Sequence, residues 1–203
     1  MKKQILKTSV LAAVLLSMGM GMAHASTGGA TVNVMATIGA ATCELDVKGG
    51  GITGNNGAYQ LDMGKFNTTD ISVLSSSAPP SAKDIKVNLV KCGSQYGTTT
   101  ANKFTPNAAI EMNVFGQTID TEKKIFNANS TADAGVAVYD HTGKAVQNGE
   151  KVKLTDTNEI DLSQSLIQGK GMAAFKVGLV SKSSTPPKAQ EVIAPVTFQV
   201  VYK

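Results

Sequence analysis

Cys43 and Cys92, with His141 and the closely spaced carboxylates Asp156, Glu159 and Asp161, are the residues of the chain beyond position 25 whose types and spacing come nearest to covalent, metal or acid–base chemistry. A pair of thiols can form a disulfide, contribute to a metal site or act as a redox centre. Metal binding calls for more ligands and redox work for a C-x-x-C spacing, and the sequence supplies neither. His141 would serve as a general base only beside a nucleophile, yet no G-x-S-x-G accompanies it and its neighbours Asp140, Thr142 and Gly143 are turn formers. Asp156, Glu159 and Asp161 read as a solvated loop face, and TDTNEID lacks the central glycine of a calcium loop. The glycine-rich GGGITGNNG at 49–57 is followed by no Lys-Ser/Thr and opens no helix, so it reads as a flexible loop rather than a phosphate cradle. Asn67-Thr68-Thr69 and Asn129-Ser130-Thr131 fit the short glycosylation acceptor pattern. The sequence therefore assigns no catalytic residue, no metal ligand set and no cofactor, and it argues against an enzyme.

What the thiols do depends on the compartment. MKKQILK supplies a cationic start, SVLAAVLLSMGMGM an apolar run and Ala23-His24-Ala25 a small-x-small cleavage site, so residues 1–25 are predicted to be a signal peptide and the mature chain to begin at Ser26. The apolar run is shorter than the ~18–20 residues a bilayer-spanning helix needs, and no later stretch has that character. Export into an oxidising compartment makes one Cys43–Cys92 disulfide the expected state; closing a loop of about fifty residues stabilises a fold by ~4 kcal/mol in the chain-entropy model. The formal charge of +4 falls to about +1 without Lys2, Lys3 and Lys7, and all 19 basic residues are lysines. Scattered lysines without arginine give no basic patch with the planar fork that reads phosphate, which argues against nucleic acid as a partner.

The elements that must position the cysteines are short. Alternating apolar runs broken by Gly, Asn, Ser and Pro predict an all-β sandwich or barrel in one domain. Strands are predicted at 58–66, 85–91, 108–115, 135–139, 151–154, 172–180 and 191–202. Asp140-His141-Thr142-Gly143 is predicted as a hairpin turn, the Pro-Pro pairs at 79–80 and 186–187 as turns ahead of strands, and 161–168 as at most two turns of helix. In the last strand Ala194, Val196, Phe198, Val200 and Tyr202 alternate with mostly polar residues, so one face is built for a core. A similar segment opens the mature chain: in GATVNVMATIG at 29–39, Val32, Val34, Ala36 and Ile38 alternate with Thr31, Asn33, Met35 and Thr37, outside the loop the disulfide would close.

These blocks, taken in order, resemble the type 1 family of fimbrial (pilus) subunits of the chaperone–usher pathway. The resemblance covers nearly all of the mature chain. It is carried by the alternating segment and A-A-T-C at 40–43, YQLDMGKF at 59–66, IKVNLVKC at 85–92, and VFGQTID at 114–120. GVAVYDHTGKAV at 135–146, AAFKVGLV at 173–180 and the final TFQVVYK with its next-to-last tyrosine complete it.

The resemblance implies an incomplete immunoglobulin-like sandwich missing its last strand and completed by donor-strand exchange. Residues 26–40 would be a donor-strand extension and 41–203 the subunit domain. Val32, Val34, Ala36 and Ile38 would enter the groove of a neighbouring subunit. Val196, Phe198, Val200, Tyr202 and Lys203 would form the groove edge that a periplasmic chaperone binds first, before an outer-membrane usher lets the next subunit replace it. Ala36 stands where the family often has glycine, implying either a roomier pocket or a shifted register. A donor and an acceptor at opposite ends give a head-to-tail contact that does not close, hence a filament at the cell surface supporting adhesion. A donor segment argues against a terminating subunit and a single domain against a two-domain tip adhesin, which leaves a shaft subunit with a minor adaptor as the alternative. A different class also fits the strands: a self-contained secreted carbohydrate-binding sandwich, in which residues 31–38 would pair within their own chain.

Overall fold

Residues that alternate between apolar and polar bury one face and wet the other, and this chain places nearly every such run in a strand. The computed structural model describes residues 29–36, 43–55, 57–163 and 167–202. In chain order the strands are β1 (Gly29–Ala36), β2 (Glu44–Gly49), β3 (Ile52–Asn55), β4 (Ala58–Lys65), β5 (Lys83–Lys91), β6 (Gly97–Thr100) and β7 (Lys103–Pro106). They continue with β8 (Ile110–Phe115), β9 (Ala134–Tyr139), β10 (Lys151–Thr155), β11 (Ile160–Asp161), β12 (Met172–Ser181) and β13 (Val192–Tyr202). Short 3-10 turns at Thr68–Asp70 and Ser94–Tyr96 interrupt them. Among the described residues no helix is long and apolar enough to cross a membrane.

The chain is all-β. One sheet has the order β10-β8-β13-β1-β4-β3, a second β2-β5-β12-β9, and a small third β11-β7-β6. The core lies between the two larger sheets. On β8, Ile110, Met112 and Val114 are buried while Glu111, Asn113 and Phe115 alternate outward; on β13, Val192, Ala194, Val196 and Phe198 do the same. Phe198 meets Phe175 of β12 across the sandwich with ring centroids 5.4 Å apart. β9 is buried on both faces, because the 119–125 hairpin and the segment around Leu74 and Ala78 cover its outer side through Ile125, Ala137, Tyr139 and Val180.

Asp120 holds that hairpin by accepting hydrogen bonds from the amides of Lys124 (2.9 Å) and Ile125 (2.7 Å). Gly116, just after β8, is required by crowding: a Cβ there would lie 2.6 Å from the Pro195 carbonyl oxygen. The turn at 140–143 is closed by the Gly143 amide donating to the Asp140 carbonyl (3.0 Å), as the sequence predicts.

The structure contains strands where the sequence predicts connectors or helix. Residues 49–57 are not wholly a loop, since β3 lies within them and pairs with β4 from Ile52↔Leu61 to Asn55↔Ala58. Its glycines mask a strand whose ladder comes from a neighbour rather than from its own apolar pattern. Instead of the start of a helix at 161–168, Ile160 and Asp161 form β11 against Phe104 and Lys103; residues 164–166 lie outside the described residues. β6 and β7 are likewise strands that no periodic run announces, whereas β2 does alternate, with Leu45 and Val47 buried between Glu44, Asp46 and Lys48, in a run too short to predict a strand.

Candidate functional site

The site is a slot in the six-stranded sheet between β13 and β4. Among the described residues these two strands are not paired with one another; β1 lies between them and bonds to both. Val32 stands opposite Ala194 of β13 and Leu61 of β4, and Val34 opposite Val196 and Tyr59. Both valines are fully removed from solvent, at 0% and 1% exposure. Asn33 between them faces outward and is half-buried. Burying two branched side chains contributes about 3–6 kcal/mol before the cost of ordering the strand.

Direction matters here. β1 runs antiparallel to β4 but parallel to β13, from Ala30↔Val192 to Ala36↔Phe198. All other pairs between named strands in the described residues are antiparallel. A parallel ladder is slightly less stable per residue, so the inserted strand is paired on one side in the less favourable way. The register slips once, between Ala30 and Thr31 opposite Asp62 and Gly64, where Gly64 takes a φ of 87° that a larger residue would resist.

Beyond Phe198, β13 continues to Tyr202 past the end of β1. There the chain is clamped. The Cys43 amide donates to Tyr202 Oη (2.5 Å), and the Tyr202 ring stacks on Tyr96 with centroids 3.6 Å apart. Cys43 is disulfide-bonded to Cys92, 49 residues on, so the bridge anchors the two segments that hold the end of the last strand. Burial pushes the Tyr202 phenol above its usual value, a push the Cys43 amide opposes. Burial also raises the Tyr59 phenol at the other wall of the slot, with Asp46 adding to it and backbone contacts opposing.

The structure thus brings Val32, Val34, Val196 and Phe198 together in one buried seam, with Val200 and Tyr202 half-buried at its end. Ala36 is the last residue of β1, opposite Phe198; Ile38 and Lys203 lie outside the described residues. Tyr59, Leu61 and Met63 of β4 form the second wall. Their alternation in YQLDM is visible in the sequence, but which strand borders the slot is not. His141 sits in the 140–143 turn, and Asp161 in β11, away from this seam. Among the described residues no three His, Cys, Asp or Glu side chains group as a metal site. What such a seam can do is bind an extended apolar strand, through two rows of main-chain hydrogen bonds and alternate inward side chains.

The structure is similar to that of the P pilus rod subunit PapA. The match to that crystal structure has 12% sequence identity and a TM-score of 0.48, covering 82% of this chain and 95% of the other. No protein-family model matches the chain, and no curated protein does.

Proposed function

We propose that this chain is a structural subunit of a chaperone–usher fimbria, in the role of shaft pilin, polymerising by donor-strand exchange and supporting adhesion at the cell surface. In this reading residues 1–25 direct export, 26–40 are the donor extension and 41–203 the acceptor domain. A periplasmic chaperone and an outer-membrane usher handle the subunit before neighbouring copies do. The observation that carries the reading is β1 itself: a strand outside the disulfide loop fills a slot between β13 and β4, whose inward side chains are apolar and whose edges facing the slot pair with no other strand among the described residues. A slot built for a strand accepts the same strand from another copy, and the ordered sequence blocks support the same assignment.

A second reading is favoured by one specific observation. β1 occupies the slot of its own chain, which is what a self-contained secreted sandwich would show. Electrophoresis of surface-sheared material in detergent separates the two. Strand exchange gives a ladder in unboiled samples that collapses on boiling to one band near the mature mass; a self-contained module gives a single band in both lanes. Copy number per fibre then separates shaft from adaptor.

A further inference from the structure

A strand of alternating residues does not fix its own register in the slot. Slipping β1 by one residue would turn Val32 and Val34 outward, but slipping it by two keeps the parity and only puts one valine in the place of the other. Toward the start of β4 such a slip is stopped by length, because Met35 already pairs with Ala58, the first residue of that strand. Toward the other end it would set Val34 opposite Leu61 and Val32 opposite Gly64, beyond the register shift. There β4 carries an extra residue: Met63, skipped between Asp62 and Gly64, is buried at 3% exposure. Its side chain already fills the inner face at this bulge, so a valine arriving there would overcrowd it.

The bulge acts as a stop only while it stays in place, and Asp62 is held through its amide, its side chain and its carbonyl. The amide donates to the Gly51 carbonyl (3.2 Å), Oδ1 accepts from the Gly64 amide (2.8 Å), and the carbonyl accepts from Lys83 Nζ (2.5 Å). The first two bonds come from the neighbouring turn and from β4 itself. Lys83 opens β5 in the opposite sheet, so its side chain ties the bulge across the sandwich. Gly51 leaves room for the tie: at its φ of 82° a Cβ would lie 3.3 Å from both the Asp62 carbonyl oxygen and Lys83 Nζ. We propose that Lys83 is the positioning residue that sets the register of the strand in the slot, by fixing the β4 bulge from the opposite sheet. This needs only β1 as it lies here; under the proposed strand exchange the same brace sets the register of a neighbour's strand.

Disulfide formation at position 60 reads the register. In the mature protein with its Cys43–Cys92 bridge intact, N33C/Q60C joins β1 to β4 in the register seen here, and M35C/Q60C joins them after a slip of two residues. With Lys83 present the first pair should oxidise faster than the second by about tenfold, because a diagonal pair is ~7–8 Å apart. Lys83→Met keeps the stem and removes the donor, and it should bring the two rates within about threefold of each other. Lys83→Arg restores a donor and should return the preference. Equal rates with Lys83 present, or an unchanged ratio in Lys83→Met even where both rates move together through lost stability, would overturn the assignment. So would a ratio that falls in Lys83→Met and is not restored by Lys83→Arg, since that traces the effect to the stem. Each of these failures leaves strand exchange standing, because the unboiled ladder tests it separately.

Discussion

Tyr202 joins three parts of the molecule through one side chain: the last strand, the first cysteine and the Ser94–Tyr96 turn. Replacing it with Phe keeps the stacking body and removes the acceptor for the Cys43 amide. Leaving one partly buried donor unpaired should cost about 1–3 kcal/mol in urea unfolding at neutral pH. The tyrosine also sets an alkaline limit. Its phenol is held above its usual value of 10.0 in the folded state, so folding favours the protonated form; that contribution is intact below pH 10 and is lost as the pH rises through the folded value. Stability should therefore fall above about pH 10, and Tyr202→Phe should blunt the fall, with Tyr59 and Tyr139, both raised mainly by burial, supplying the remainder.

Asp140 acts at the opposite end of the pH scale. Burial raises its carboxyl, but hydrogen bonds from the Thr142 hydroxyl and from the amides of Lys144 and Thr142, with His141 nearby, outweigh it and hold the group below its usual value of 3.8. A depressed carboxylate stabilises the fold at pH values above its unfolded pKa and loses that effect as the pH drops through the folded value. Asp140→Asn should thus be less stable than the parent at pH 7 and nearly equal to it near pH 2. Denaturation midpoints at the two pH values measure this.

At the scale of elements, the disulfide and β1 make separable contributions. The bridge closes a segment with a sequence separation of 49 that contains β2, β3, β4 and β5 but not β1. The pair Cys43→Ser/Cys92→Ser should lose ~4 kcal/mol, and the Cys43 end of the Tyr202 clamp should loosen with it. Amide exchange at Val200–Val201 is the local readout: it should quicken more than exchange in β12. Phe198→Ala, by contrast, opens a cavity between the sheets opposite Phe175 and should cost about 3–5 kcal/mol without changing the redox dependence.

At the scale of the whole molecule, the proposed function gives a sandwich whose central strand β1 precedes the disulfide loop two ways to be complete: closed on itself, as β1 lies here, or joined to another copy. Both satisfy the ladders of β13 and β4, so the balance between them is set by the tether and by concentration. Lengthening 37–42 with a flexible Gly-Ser insert raises the closure entropy and lowers the effective concentration of the chain's own strand at the slot. The expected outcome is a smaller share of monomer after refolding at fixed concentration, read by size-exclusion chromatography. An unchanged share would mean that the link does not govern closure.

The sequence by itself determined the elements with a strong apolar pattern: β4, β5, β8 and β13 lie where apolar residues fall in step, a period of two that needs no partner to be legible, and β9 and β12 where short apolar runs are bounded by turn residues. It also determined which side chains of β1 and β13 face inward, since parity along a strand fixes the face. Only the tertiary structure decided that β1 lies between β13 and β4 of its own chain and parallel to the former, since strand order and direction arise from contacts between distant segments that no local pattern encodes. For the same reason β3, β6 and β7 became strands through their neighbours' ladders, and Tyr202 became the hydrogen-bond acceptor for Cys43.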